Sequence, residues 1–226
     1  MTVLFVIATI ITFLGIDWIN RRVKAKKHVP VTAMPAAAQY PVRLPDGIFF
    51  TKSHTWLNLF PSGKVRLGVD DFVGRMIENP EVVLLKRSGD QVSRGEPILA
   101  LKDRGHLLTL RAPIDGDVVD INEELQKRPE LMKEMLFSDG WAYTIKPSKF
   151  AELKGLLLGT ETQQWMRDEF ARLRDFFAGA TATAQLSPAY LQDGGAPVAG
   201  IMNDMNENVW RNFEEEFLTI ESTERK

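Results

Sequence analysis

Between Gly89 and Leu125 the chain alternates turn residues with short apolar runs in a way that leaves few folds open. Pro97–Leu101 and Leu107–Leu110 are β-compatible runs separated by the polar segment Lys102-Asp103-Arg104-Gly105-His106. So short a polar gap, with a glycine in it, predicts a β-hairpin. Gly89-Asp90 and Asp115-Gly116 frame it as turns, because glycine accepts positive φ and aspartate bonds its own backbone. The flanking segments must then supply strands for the hairpin to pair with or pack against.

They do. Ile48–Phe50, Thr55–Phe60 and Lys64–Val69 precede it, with Pro61-Ser62-Gly63 as the turn between the last two. Val82–Lys86 lies closer, and Asp117–Ile121 and Trp141–Lys146 follow. Asp70–Met76 reads as a brief helix or turn, Pro129–Glu134 as a short helix, and the chain turns helical from Pro147. Short strands broken by Gly, Pro and Asp turns about every eight to twelve residues predict an all-β barrel or sandwich. This central domain is placed at residues 45–158.

The amino-terminal residues belong to a different solvent. Thr2–Ile19 is almost continuously apolar, with Asp17 the single charge near its end. A helix of that length spans about 27–30 Å, enough for the hydrocarbon core of a bilayer. A cleaved leader would carry its basic residues before the apolar run, whereas Arg21, Arg22, Lys24, Lys26 and Lys27 follow it. The reading is a retained single-pass anchor at 1–20 in the cell inner membrane. Its basic flank places the amino terminus outside and the rest of the chain in the cytoplasm. Asp17 sits near the interface, where it either reaches water or meets a neighbouring transmembrane helix. Residues 21–44 form a basic juxtamembrane segment and a Pro/Ala-rich linker.

Residues 159–226 form a helical extension. Glu161–Ala178 carries Trp165, Met166, Phe170, Leu173, Phe176 and Phe177 at helical spacing, with Thr160 as a plausible cap and Gly179 as a stop. After a Pro/Gly-rich connector, Asn206–Phe217 is a second amphipathic helix bearing Val209, Trp210, Phe213 and Phe217 on one face. These stripes either pack on the barrel or present part of their surface to another subunit. Trp165, Phe170, Phe176, Trp210, Phe213 and Phe217 are therefore candidate partner-binding residues, together with Asp17. Glu214-Glu215-Glu216 reads as a solvated acidic face.

Composition narrows the chemistry. A net charge of −2 gives no basic footprint for nucleic acid. With no cysteine there is no thiol nucleophile, disulfide or thiolate-bound metal within the chain. The three histidines, His28, His54 and His106, are far apart in sequence and lack paired metal-ligand spacing, so structural roles are expected. No phosphate-binding glycine loop occurs, and Asp115, Asp117 and Asp120 suit turns better than acid–base work. No catalytic residue, small-molecule substrate, cofactor or metal is expected.

A series of ordered segments completes the reading. They are Phe50-Thr-Lys-Ser-His-Thr-Trp56, Val65-Arg-Leu-Gly-Val-Asp-Asp-Phe72, Gly89-Asp-Gln-Val-Ser-Arg-Gly-Glu-Pro97, Ala112-Pro-Ile-Asp-Gly-Asp-Val-Val119, Ile121-Asn-Glu-Glu-Leu125, Pro129-Glu-Leu131 and Gly140-Trp-Ala-Tyr-Thr-Ile-Lys-Pro147. Over about Ile48 to Trp165 the chain resembles the H protein of the glycine cleavage system. The resemblance implies a mainly β fold with helices, the barrel-sandwich hybrid of lipoyl carriers, here with an amino-terminal transmembrane helix and carboxy-terminal amphipathic helices added. It also implies a lipoylated lysine eight residues before the proline of Ala112-Pro113, and that position is Gly105. Lys102 is the one nearby lysine that could substitute.

The expectation is a non-catalytic, membrane-anchored docking or scaffold subunit of a multi-subunit membrane complex, without a lipoyl arm. Its partners would be the membrane and other protein subunits, and a respiratory or other redox assembly is the kind suggested by fold-level analogy. The alternative is a membrane-tethered carrier that uses Lys102.

Overall fold

A computed structural model of the protein describes residues 42–184 and 199–220. Among the described residues, nine strands make two antiparallel sheets. One sheet has the order β1-β2-β3-β9-β8-β5, formed by Phe49–Phe50, Thr55–Leu59, Val65–Val69, Tyr143–Pro147, Gly116–Ile121 and Gln91–Val92 respectively. The other has the order β4-β6-β7, formed by Glu81–Leu84, Pro97–Asp103 and His106–Arg111. The expected hairpin is thus the centre and one edge of the smaller sheet. Five helices accompany the strands: α1 (Asp71–Met76), α2 (Glu123–Lys127), α3 (Leu131–Glu134), α4 (Thr160–Ala184) and α5 (Glu207–Phe213). Short 3₁₀ turns cover Phe150–Gly155 and Ile201–Asp204, and a wider π turn continues α5 over Glu214–Leu218.

One hydrophobic core joins both sheets and reaches into the carboxy-terminal residues, from Leu57, Leu67 and Ile145 through Leu99, Leu101 and Leu108 to Met166, Leu173, Met202 and Phe213. Tyr143 ties the sheets directly. From β9 its hydroxyl donates to the Ile98 carbonyl of β6 at 2.5 Å and accepts from the Lys86 N–H at 3.2 Å. Burial holds the phenol neutral and pushes its pKa up to about 12. A second cluster lies on the far side of β1–β3, where Trp56 stands opposite Gly68 in the strand register. A Cβ at Gly68 would lie 2.8 Å from the indole, so glycine is what lets the ring lie over the strand.

The long helix differs from expectation at its end. It runs through Gly179 to Ala184. A single helical glycine costs only about 1 kcal/mol, too little to stop a helix whose apolar face is packed. The expected anchor at 1–20, including Asp17, and the expected linker as far as residue 41 lie outside the described residues. Among the described residues no helix is long and apolar enough to cross a membrane. Val42 is 7% exposed and packs into the core, and the Arg43 guanidinium bonds Asp71 at 2.9 Å. The domain therefore takes in residues that composition alone assigns to the linker.

Candidate functional site

The tip of the β6–β7 hairpin is built from two residues. Asp103 pairs with His106, leaving Arg104 and Gly105 as the loop, with φ of 48° and 88°. Left-handed backbone at both positions is the type I′ arrangement, whose twist matches that of the flanking strands. Glycine suits the second position without cost, whereas arginine at the first is held where side chains other than Asn, Asp and Gly are uncommon.

Gly105 stands where the resemblance places a modified lysine, and it offers no amine. Lys102 lies within the strand, flanked in register by Glu81 of β4 and Leu107 of β7. Its ammonium is 3.8 Å from the Glu81 carboxylate and the side chain is 48% exposed, a surface pair of little energetic consequence. The residues at the tip therefore do not fit an amide-linked lipoyl group. Among the described residues no three His, Asp or Glu side chains converge as a metal centre requires.

What covers the hairpin comes from the carboxy-terminal residues. His106 stacks on Trp210 of α5, with ring centroids 5.1 Å apart and planes at 18°. Trp210 is buried, and its indole N–H donates to the Met202 carbonyl at 2.9 Å. β7 is the outer strand of its sheet, and an edge strand leaves backbone N–H groups unpaired. Here the Thr109 N–H donates to a Glu214 carboxylate oxygen at 2.8 Å. The acidic run is thus no uniform solvated face, since Glu214 caps the sheet edge and Glu216 pairs with Arg172 at 3.7 Å. The same segment is fastened to α1 and the loop after it, where the Gly200 N–H donates to the Arg75 carbonyl at 2.7 Å and Asn203 accepts from the Glu78 N–H at 3.2 Å.

This arrangement corrects part of the expected partner-binding set. Trp210, Phe213 and Phe217 are 2%, 0% and 1% exposed, consumed by the chain's own core. Phe213 and Phe217 stack at 4.9 Å, and Phe176 meets them at 6.0 and 5.6 Å. An aromatic face on a short helix is buried by the nearest apolar surface, which here is α4 and the hairpin. Trp165, Phe170 and Phe176 are only partly buried and pack against the core along one side of α4.

A charged cluster that the sequence did not reveal fastens α4 to the barrel. His54 is fully buried at φ 60°, its ring stacked on Phe72 with centroids 4.1 Å apart. Its Nδ1 lies 2.8 Å from an Asp70 carboxylate oxygen and its Nε2 3.3 Å from a Glu169 one. With a carboxylate at each ring nitrogen, both nitrogens must donate, so the ring is an imidazolium. Burial opposes that charge, but Asp70 and Glu169 outweigh it and push the pKa up to about 9. Burial would likewise raise Glu169, yet its bonds and charge interactions with His54 and Arg172 hold it below the usual carboxylate range. The other Asp70 oxygen accepts from the Val73 N–H at 3.1 Å and so caps α1. Phe50–Trp56 contains the histidine, but nothing local to it announces two carboxylates at positions 70 and 169. The cluster has no access to solvent and is a clasp rather than a catalytic centre.

Comparison with known proteins accounts for part of this arrangement. The sequence model of the glycine cleavage H-protein family matches residues 48–169. The chain is similar to the glycine cleavage system H protein of Halalkalibacterium halodurans, 29% identical over 126 residues that cover 56% of this chain and 98% of that protein. It is similar also to the H protein of Shewanella loihica, 30% identical over 114 residues that cover 50% of this chain and 88% of that one. The crystal structure of an H protein from Mycobacterium marinum aligns with a TM-score of 0.45 at 24% identity, covering 52% of this chain and 94% of that one. The segment that covers the hairpin, residues 199–220, lies outside the family match.

Proposed function

This chain belongs to the glycine cleavage H-protein family, and from that premise we propose that it is a non-catalytic docking subunit that has given up the lipoyl arm. The family is one of lipoyl carriers that work with other proteins and are not catalytic themselves. In our reading, residues 1–20 hold this member at the cytoplasmic face of the cell inner membrane, within a multi-subunit complex of respiratory or other redox type. The observation that carries the reading is the tip itself: Arg104-Gly105 in place of a lysine, beside a strand whose edge the chain has already covered with Trp210 and Glu214. A carrier hairpin must present a mobile arm to successive enzymes. This one is a closed turn braced by residues beyond the family domain, and what remains for it to offer is shaped surface. Of the candidate partner-binding aromatics, Trp165, Phe170 and Phe176, partly exposed along α4, are the ones still able to face a partner.

Gentle detergent extraction with the native chain as bait, followed by identification of stoichiometric companions, tests this. The expected result is membrane association through residues 1–27 and recovery of specific integral or membrane-bound subunits. Monomeric behaviour of a chain lacking residues 1–27, with no companion recovered from the full chain, contradicts the reading.

A further inference from the structure

A line of alternating charges runs from the barrel to the segment that covers the hairpin. Asp70, just after β3, lies 2.8 Å from His54 Nδ1, and His54 Nε2 lies 3.3 Å from Glu169 of α4. Arg172, one turn further along α4, donates through Nη1 to both Glu169 oxygens at 2.9 and 2.8 Å. Its Nη2 donates to the Glu216 carbonyl at 3.1 Å and pairs with the Glu216 carboxylate at 3.7 Å. The same guanidinium lies over the Phe217 ring, 4.9 Å from its centroid. Glu216 and Phe217 belong to the π turn that begins at Glu214, and Glu214 caps Thr109 on the β7 edge. The line therefore ends on the hairpin.

The charged groups that act on the His54 ring are Asp70 and Glu169. Phe72 of α1, Trp165 of α4 and Phe217 of the π turn pack around it and bring no charge. Arg172 and Glu216 reach it through Glu169. A neutral imidazole has one N–H, so only one of the two carboxylates then keeps a donor. The shorter contact is to Asp70, whose other oxygen is already fixed by the Val73 N–H, so the remaining proton stays on Nδ1. Glu169, itself 2% exposed, is left against a lone pair. A buried carboxylate that loses its partner is strongly destabilised. The way out is toward half-exposed Arg172, and that movement disturbs Glu216 and Phe217.

We propose that residues 199–220 are a strap over the hairpin latched through His54, so that loss of the ring proton displaces Glu169, loosens the π turn through Arg172 and uncovers the β7 edge. The device is independent of what the hairpin carries.

Hydrogen exchange of the full chain tests this, with each amide's rate divided by its intrinsic rate at the same pH. Between pH 6.5 and 9.5 the protection of Thr109 is expected to fall about tenfold or more. At every pH it should stay below that of the β2–β3 amides, which report opening of the whole domain. Glu169→Gln, whose amide can donate to a bare Nε2, is expected to flatten the Thr109 profile. Arg172→Ala, which cuts the link between α4 and the π turn, is expected to lower Thr109 protection severalfold at pH 6.5. Thr109 protection that stays constant with pH while β2–β3 protection falls overturns the proposal, because the clasp then serves the barrel alone. Equal protection of Thr109 and the β2–β3 amides at every pH also overturns it, since the strap would open only with the whole domain. Unchanged Thr109 protection in Arg172→Ala overturns the link to the strap. If Glu169→Gln does not fold, the profile of the native chain decides the matter by itself.

Discussion

The imidazole of His106, the first residue of β7 after the hairpin turn, lies against the indole of Trp210, with ring centroids 5.1 Å apart, and so joins the tip to a segment about a hundred residues further along the chain. Together with the Glu214 cap on Thr109, this contact covers part of the hairpin's edge strand, while the turn itself stays exposed. Trp210→Ala removes a side chain that is 2% exposed and should cost about 3–5 kcal/mol. Glu214→Ala should cost about 1–2 kcal/mol, since it frees one backbone donor. The specific signature is hydrogen exchange. The Thr109 amide, slow in the native chain, should exchange faster in Glu214→Ala while the β2–β3 amides stay protected. Unchanged Thr109 exchange would mean that the carboxylate does not cap the edge.

His54 makes stability depend on pH in a definite direction. Its folded pKa, about 9, lies above the unfolded value of about 6.5. The stabilisation is therefore complete below about pH 6.5 and is lost as pH rises through 9, by up to about 3 kcal/mol. Chemical denaturation between pH 6.5 and 9.5 should show this fall in the native chain and little of it in His54→Asn. That variant is destabilised at pH 6.5 because two buried carboxylates lose their shared donor. A native profile as flat as that of the variant would show the ring to be neutral when folded.

Gly68 carries a packing constraint that can be tested on its own. Gly68→Ala places a methyl group 2.8 Å from the Trp56 ring and should cost about 1–3 kcal/mol. Adding Trp56→Phe, which shortens the ring facing that methyl, should make the double variant less destabilised than the sum of the two single changes. Simple additivity in equilibrium unfolding would mean that the two positions are not in contact.

The hairpin was legible in the sequence because everything that specifies it is local: two apolar runs, a polar gap of five residues and a glycine. The observed strands differ from the expected ones by Lys102, Asp103 and His106 next to the turn, which still pair despite their polarity, and by Arg111 at the far end of β7. The mainly β architecture, with added helices, followed in the same way. What covers the hairpin was not legible. Trp210, Phe213 and Phe217 announce a helix with an apolar face, but periodicity cannot say whether that face is met by this chain or by another. The His54 cluster was hidden for a related reason. Each member reads as an ordinary surface or capping residue until Asp70 and Glu169 are brought to the same imidazole.

Whether the hairpin bears a lipoyl arm is decided by intact-mass spectrometry of the full chain isolated from its native source. The expected result is the mass of the unmodified polypeptide, the same for the native chain and, after the side-chain difference, for Lys102→Ala. A lipoyl increment on the native chain that disappears in Lys102→Ala would contradict it and make the protein a carrier that uses the strand lysine in place of the missing one at the tip.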